Sequence, residues 1–413
     1  MPVAVGLFKQ LVYKIETTFG VAAGQAAGQM LRRTKSTLDL AKETYASAEI
    51  RTDFQIADFR HGVRSVTGSI SGELSPLTYK DVFAVALKRD FAAVTALTAV
   101  GLTISGTGPT YTVVRSAGSW FTDNLKIGMV PRFSVGALNA LNLNKNLLIV
   151  DIANATTMTV LPLNGSAMFA EGPVTGCTVT VIGKVTYTPT TGHTDKSLSI
   201  EHWYSDIAQS ELFLGCKLSK ISLNLPPTGM ATIEAEVMGQ DLADTAAKRG
   251  GIALTTNYFT TPAAVTSSVT LAAVNGVLRV AGVIVATVTG LTMEIAPAYS
   301  GEAVVGANTK PALFAGMLAI TGQLTAFFDS VTFRDAFVAE TEVELIAAFT
   351  TDNTATAEFI TLTLPRIKLG GSGKDDGQTG LKQTIPYQAL LAVNGGAGTK
   401  SEKTTLQIQD SLA

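Results

Sequence analysis

The stretch Val66–Ala84 reads VTGSISGELSPLTYKDVFA, and it aligns without a gap with ITGQLTAFFDSVTFRDAFV, which begins 254 residues later and spans Ile320–Val338. In each stretch apolar residues first alternate, as in a strand, and then recur at three- and four-residue spacing, as in a helix. Such self-similarity indicates an internal repeat whose copies each form a strand, a turn and a short helix. The identical or like-for-like pairs are Thr67/Thr321, Gly68/Gly322, Ile70/Leu324, Thr78/Thr332, Tyr79/Phe333, Lys80/Arg334, Asp81/Asp335 and Phe83/Phe337.

A second pair of matches follows in the same order. Ser197–Glu201 parallels Glu342–Ile346 at an offset of 145 residues, and Leu218–Leu223 parallels Leu364–Leu369. The difference between the offsets of 254 and 145 leaves 109 additional residues between helix and strand in the first copy. Chance resemblance of two amphipathic units is the alternative, but the conserved order favours a repeat with a domain-sized insertion.

The fold class predicted from these patterns is mainly β. We divide the chain into a discontinuous first copy, 1–90 and 197–245, an inserted β domain at 91–196, and a second copy at 246–413. Each copy is predicted to be a β unit with one short helix, at Thr78–Leu87 or Thr332–Val338. The strands expected in the insert are Val113–Ser116, Met129–Phe133, Leu147–Val150, Thr157–Val160 and Thr178–Val181.

Composition excludes several classes of protein. With 46% hydrophobic and 15% charged residues, 413 residues suffice for several cores. A net charge of -2 does not suit a protein that grips nucleic acid by its phosphates. Cys177 and Cys216 are interpreted as small buried hydrophobes. The N-terminus lacks the features of an export signal, and the apolar stretch Phe91–Ile104 is too short to span a membrane, so we expect folding in a cytoplasm and no transmembrane helix.

No pattern in the chain specifies chemistry, and we predict no catalytic, cofactor-binding or metal-binding residues. The segment Gly370–Lys374 resembles a phosphate-binding loop, but Asp375 stands where a Ser or Thr should bind magnesium. The segment 371–380 is better interpreted as a solvated hairpin loop. The only histidines are His61, His193 and His202; the last two, with Asp195, Glu201 and Asp206, could form an acid/base cluster, and the favoured alternative is a polar loop beside a half-exposed strand.

Segments at both ends of the chain, outside the insert, resemble the major tail tube proteins of long-tailed, siphovirus-type bacteriophages. The segments that carry the resemblance are Tyr13–Gly20, Ser47–Arg51, Asp58–Leu74, Val288–Thr292, Val304–Asn308, Thr321–Gly322 and Leu364–Leu369. They are patterns of strands and loops without a catalytic signature.

The resemblance implies that each copy is a β-sandwich or barrel flanked by one short helix. It also implies a structural virion protein and not an enzyme. Such a protein assembles in the host bacterial cytoplasm and polymerises as stacked rings into the tail tube, the conduit for DNA ejection. The implied partners are further copies of the chain, the tape-measure protein and double-stranded DNA in the lumen without tight binding, and terminator and baseplate proteins at the tube ends. Another tail component, a terminator or baseplate ring protein, is the alternative; an outer-membrane barrel is disfavoured by the N-terminal sequence.

Four further expectations follow from the repeat and the resemblance. Two copies in one chain predict a trimeric ring with pseudo-sixfold symmetry, the alternative being a hexamer. The lumen is expected to be neutral or acidic, so that DNA slides. The insert is expected on the outside of the tube, where deleting it and joining Arg89 to Ser197 should leave assembly possible. Loops 41–62 and 296–312 are expected to reach neighbouring subunits.

Overall fold

The computed structural model describes residues 3–285, 287–376 and 380–413. Within these ranges the chain is mainly β, as predicted, with 27 strands and two α-helices. Across the same ranges, no helix has both the length and the apolarity that a membrane crossing requires. Cys177 and Cys216 are buried free thiols, which confirms their interpretation as core residues.

The elements follow one another in chain order. Before the insert lie β1 (Lys9–Ile15), β2 (Gln29–Met30), β3 (Lys35–Ser36), β4 (Asp39–Ala46), β5 (Phe59–Glu73) and α1 (Lys80–Leu87). Within 91–196 lie β6 (Leu97–Ser105), β7 (Tyr111–Arg115), β8 (Pro131–Ser134), β9 (Leu147–Ile152), β10 (Thr157–Pro162), β11 (Glu171–Val181) and β12 (Lys184–Tyr187). Then come β13 (Leu198–Tyr204), β14 (Gln209–Leu225), β15 (Thr232–Gly239) and β16 (Asp241–Leu242).

The remaining elements belong to 246–413. They are β17 (Gly276–Val280), β18 (Val283–Ile284), β19 (Val288–Ala296), β20 (Tyr299–Ser300), β21 (Phe314–Ala315), β22 (Ala319–Phe327), α2 (Thr332–Val338), β23 (Val343–Thr350), β24 (Phe359–Leu369), β25 (Gly373–Lys374), β26 (Lys382–Ala389) and β27 (Gln407–Asp410). Short 3₁₀ helices lie at Gly6–Phe8, Ala140–Asn142, Ala247–Arg249 and Ala273–Asn275.

The order of paired strands is the same in the two halves of the chain. In the first half the antiparallel order is β4, β5, β15, β14, β13, β1 and β2. In the second half it is β19, β22, β26, β24, β23, β17 and β18. A helix follows β5 and another follows β22, as the repeat predicts. Helix α1 ends at Leu87 because Lys88 takes the left-handed conformation, with φ 56°, and its N–H bonds to the Ala84 carbonyl.

Two glycines show that the first match of the repeat is in structural register. A Cβ on Gly68 would collide with the carbonyl of Thr37, and one on Gly322 would collide with the carbonyl of Thr292. Both glycines are therefore required by the close approach of a neighbouring segment's backbone.

The match of Leu218–Leu223 with Leu364–Leu369 is wrong by five residues. Gly68 lies opposite Val237, and Val237 lies opposite Leu218. Gly322 lies opposite Tyr387, and Tyr387 lies opposite Leu369. Leu218 is therefore equivalent to Leu369, and Leu364–Leu369 corresponds to 213–218.

Most of the insert forms a separate six-stranded sheet in the order β8, β11, β6, β7, β10, β9. Its own core contains Trp120, Phe133, Ile149 and Met158, all fully buried. Strand β12 behaves differently, since it pairs antiparallel with β27 near the C-terminus instead of joining the insert's sheet.

The insert packs against the second half of the repeat. Its residues Val130, Leu148 and Leu161 form a buried cluster with Ile346 and Phe359 of β23 and β24. Polar groups complete this contact: the Gln409 side chain accepts from the N–H of Val130 at 2.8 Å, and the Thr361 hydroxyl donates to the Gly128 carbonyl at 3.1 Å.

Candidate functional site: a polar sheet face and two open strand edges

The two halves are joined edge to edge by strands β14 and β19. Residues 221–225 pair antiparallel with 295–291, Ile221 opposite Ile295 and Leu225 opposite Leu291. All four of these side chains are buried, and a single hydrophobic core runs through both halves. We call this pairing the internal junction.

One face of the joined sheets is polar and crosses the internal junction without a break. Because side chains alternate along a strand, neighbours of the buried Ile221 and Ile295 point to the opposite, uncovered face. Three rows of cross-strand neighbours define this polar face. They are Lys35, Ser71, Glu234, Ser222, Glu294, Thr321, Gln388 and Lys368; Glu73, Thr232, Asn224, Thr292, Gln323 and Pro386; and Ser69, Glu236 and Lys220.

The polar face carries no excess of positive charge. It contains four glutamates against three lysines. Lys220, beside the internal junction, lies 2.8 Å from a Glu236 carboxylate oxygen and 4.0 Å from one of Glu294. The hydrogen bond to Glu236 raises the pKa of Lys220. This cation is therefore neutralised by its neighbours.

At the two ends of the polar face, strand edges lack a partner strand among the described residues. β25 pairs only with β26, and β3 and β4 pair only with β5. Residues 373–376 are exposed, as is most of β4. The segment predicted as a solvated loop, 371–380, thus contains the short strand β25; positions 377–379 of it lie outside the described residues.

Large apolar side chains are exposed around 41–62 and 296–312. The first segment, predicted as a loop, includes most of β4 and the start of β5. Ile50 and Phe54 are 100% and 99% exposed, and Val305 is also fully exposed. The second loop folds back onto the first half, where the Arg64 N–H donates to the Asn308 carbonyl at 2.8 Å. Apolar residues gathered on loops in this way are typical of contact surfaces.

The structure does not bring the candidate acid/base residues together. The Glu201 carboxylate is fully buried and accepts from the backbone N–H of Phe259 at 3.0 Å. His202 is buried, which lowers its pKa, and its Nε2 lies 2.9 Å from the Ser36 hydroxyl. Asp195 forms an ion pair with Lys217. His193 and Asp206 are exposed or half-buried in loops, so the five residues have separate structural surroundings.

Two buried polar groups have no counterpart in the sequence interpretation. Glu16 accepts from the Ser199 hydroxyl at 2.9 Å and from the Gly215 N–H at 2.8 Å. Arg249, fully buried, donates to the Ser210 carbonyl and hydroxyl at 3.0 and 2.8 Å. Both stabilise loops against β13 and β14 through partners that are distant in sequence, so no local motif predicts these contacts. In the described ranges, no three His, Cys, Asp or Glu side chains are grouped as metal ligands.

A protein-family model described as phage tail tube protein matches residues 9–389, which is nearly the whole chain. No curated protein matches the chain significantly.

Proposed function

Because this chain belongs to the phage tail tube protein family, we propose that it polymerises as stacked rings into the tail tube of a siphovirus-type phage and forms the conduit for DNA ejection. The observation that carries the proposal is the internal junction, where two sheets of the same strand order join edge to edge and share one polar face. Repeating such a junction around an axis would generate a continuous wall. The chain acts in the virion tail after assembly in the host cytoplasm, and the proposal assigns it no catalytic role.

The proposed ring contains three chains and has pseudo-sixfold symmetry. Its units are a first copy at 1–90 and 197–245 and a second at 246–413, with the insert at 91–196 on the outer surface. The matching strand orders and the paired glycines Gly68 and Gly322 support two equivalent units. A hexameric ring is the alternative, and it would require the two halves to lie at different radii.

The polar face is proposed to line the lumen. It is uncovered, it is continuous across both halves, and its lysines do not outnumber its glutamates. Double-stranded DNA and the tape-measure protein would therefore pass without fixed phosphate contacts, each of which would add salt-dependent affinity. Loops 41–62 and 296–312, with their exposed apolar side chains, are proposed to contact neighbouring subunits, while terminator and baseplate proteins close the tube ends.

Electron microscopy of the negatively stained, purified protein tests the assembly. Long tubes with a regular axial repeat are expected, whereas single closed rings would favour a terminator or baseplate component. Native mass measurement of one ring should give three chains, and six would contradict the pseudo-sixfold trimer. A dispersed monomer would exclude the proposed function.

A further inference from the structure

We propose that residues 372–376 of one chain pair antiparallel with residues 36–40 of the next chain, so that Ser372 lies opposite Leu40 and Asp376 opposite Ser36. The partner is thus a second copy of this chain, and the contact is the counterpart between chains of the internal junction. The inference rests on the proposed ring and assigns its residue-level register.

The register of residues 372–376 follows from β14. Ser222 lies opposite Glu234, which lies opposite Ser71. In the second half Gly373 lies opposite Thr384, which lies opposite Thr325. Since Thr325 follows Ser71 at the repeat offset of 254 residues, Gly373 is the equivalent of Ser222. The segment 372–376 is therefore the equivalent of 221–225, which the internal junction uses.

The register of residues 36–40 follows from β19 in the same way. Glu294 lies opposite Thr321, and Asp39 lies opposite Thr67, the residue equivalent to Thr321. Asp39 is therefore the equivalent of Glu294. Because Ser222 lies opposite Glu294 in the internal junction, Gly373 should lie opposite Asp39 of the next chain.

Among the described residues neither edge has a partner strand, although the Ser36 carbonyl accepts from Lys9 Nζ and the Leu40 N–H donates to the Asp39 carboxylate. The composition of the edges suits strands that stay exposed until assembly. The inward side chains of the internal junction are apolar, as with Leu223 opposite Met293. Their equivalents in the proposed contact are Lys374 and Leu38, and the flanking Asp375 and Asp376 add charge. Charged residues on an unpaired edge suppress uncontrolled strand pairing. The Lys374 ammonium lies over the Phe328 ring at 4.0 Å, so its charge has a partner within its own chain.

Disulfide cross-linking in assembled full-length protein tests the register. The double variant Asp39→Cys/Gly373→Cys places two cysteines directly opposite each other, at a Cα separation of roughly 4.5–5.5 Å that a disulfide can bridge. Gly373 has open space for a side chain, and the native Cys177 and Cys216 are buried. Thr37→Cys/Asp375→Cys tests the same register on the same face should the first variant fold poorly. The matched control is Leu40→Cys/Gly373→Cys, whose side chains would point to opposite faces.

Oxidation should convert most of the Asp39→Cys/Gly373→Cys protein into covalent dimers and trimers on a non-reducing gel, with the ladder ending at three chains. The control and the single-cysteine variants should remain monomeric on the gel. Assembled tubes in which neither designed pair cross-links, or in which the control cross-links equally, would overturn the register and leave the proposed function standing. Wild-type protein that never assembles would overturn the proposed function and the inference together.

Discussion

Phe83 and Phe337 occupy equivalent positions in the two copies of the repeat, but their surroundings differ. Phe83 on α1 is 1% exposed, whereas Phe337 on α2 is 40% exposed. Six residues of α1 are buried and none of α2 is, because α1 packs against both β14 and β12, the strand that closes the insert. The second half has no insert and so no equivalent cover for its helix.

Replacing each phenylalanine by alanine should separate these two environments. Phe83→Ala should lower the free energy of unfolding by about 3–5 kcal/mol, the usual effect of truncating a buried phenylalanine. Phe337→Ala should cost the monomer about 1 kcal/mol or less, because little buried area is lost. Urea denaturation of monomeric protein measures both; equal losses would contradict the burial difference.

We expect Asp410 to make stability depend on pH. Its carboxylate is 2% exposed and accepts from the N–H groups of Leu77 at 2.7 Å and Leu412 at 2.9 Å. Burial raises its pKa to about 6. The folded state therefore binds this proton more tightly than the unfolded state, whose aspartate titrates near 3.9.

The contribution of Asp410 to stability is present below about pH 4 and should be lost as pH rises through about 6, by about 3 kcal/mol in total. Asp410→Asn removes the titration and nearly preserves the shape. At pH 4 and again at pH 7, the unfolding free energy of Asp410→Asn is subtracted from that of the wild-type protein. The change in this difference between the two pH values isolates the effect of Asp410. A difference that does not change between these pH values would show that Asp410 is not the titrating group.

At the scale of the elements, the insert packs against a distant part of the chain, the second half of the repeat. Its cluster with Ile346 and Phe359 seals one face of the second half, and Lys126, fully buried, donates to the carbonyls of Gly396 and Thr399 at 2.7 and 2.8 Å. The expectation that 91–196 can be deleted with little disturbance did not anticipate these contacts. β12, which pairs with β27, would be lost as well.

Deleting 91–196 should therefore destabilise the second half. Exposure of Ile346 and Phe359 alone should cost about 3–6 kcal/mol. A matched variant replaces 94–183 by Asn-Gly, a favoured two-residue turn, and so retains β12 and the bridge between Ala92 and Val185. It should be more stable than the full deletion. Thermal unfolding of the two variants and of the intact chain tests this prediction. A full deletion with an unchanged melting temperature would contradict the packing argument.

Sequence patterns predicted the strand and helix of each copy but not the partner of every strand. The windows 213–218 and 218–223 both include Leu218 and both have apolar residues at their first, fourth and sixth positions, so either could be matched with Leu364–Leu369. Only the ladder through Val237 and Tyr387 separates them. The residues that continue β24 are polar, and no strand covers them within the described part of the chain. Matching by hydrophobicity therefore does not detect the true alignment.

On the scale of the whole molecule, the polar face could not be predicted from sequence either. Alternation separates the two sides of each strand, but which side is covered depends on pairings such as β14 with β19, between residues about 70 positions apart. The neutral or acidic lumen stays a prediction. If the polar face lines the lumen, Glu234 and Glu294 contribute to its negative charge.

Reversing these charges should make the tube retain DNA. Glu234→Lys/Glu294→Lys would leave the core side of the sheet unchanged while giving the face a continuous excess of lysine. Assembled tubes of the variant should bind double-stranded DNA at about 50 mM salt and release it at about 200 mM, because phosphate contacts are salt-dependent. Wild-type tubes should bind weakly at both concentrations. Equal retention by both proteins would mean that the polar face is not accessible to DNA.

In the proposed ring, the internal junction also limits which wrong ring sizes can form. In the proposed ring every second joint is already fixed within a chain, so units can be gained or lost only in pairs. A ring of five or seven units cannot close, and the nearest wrong sizes have four or eight. Such a ring must change the angle at every joint by more than a single-unit error would require, and the buried contacts of Ile221 with Ile295 would resist that bend. In the proposed ring, the covalent pairing of units thus allows only even numbers of units. This restriction favours a uniform bore along the length of the tube.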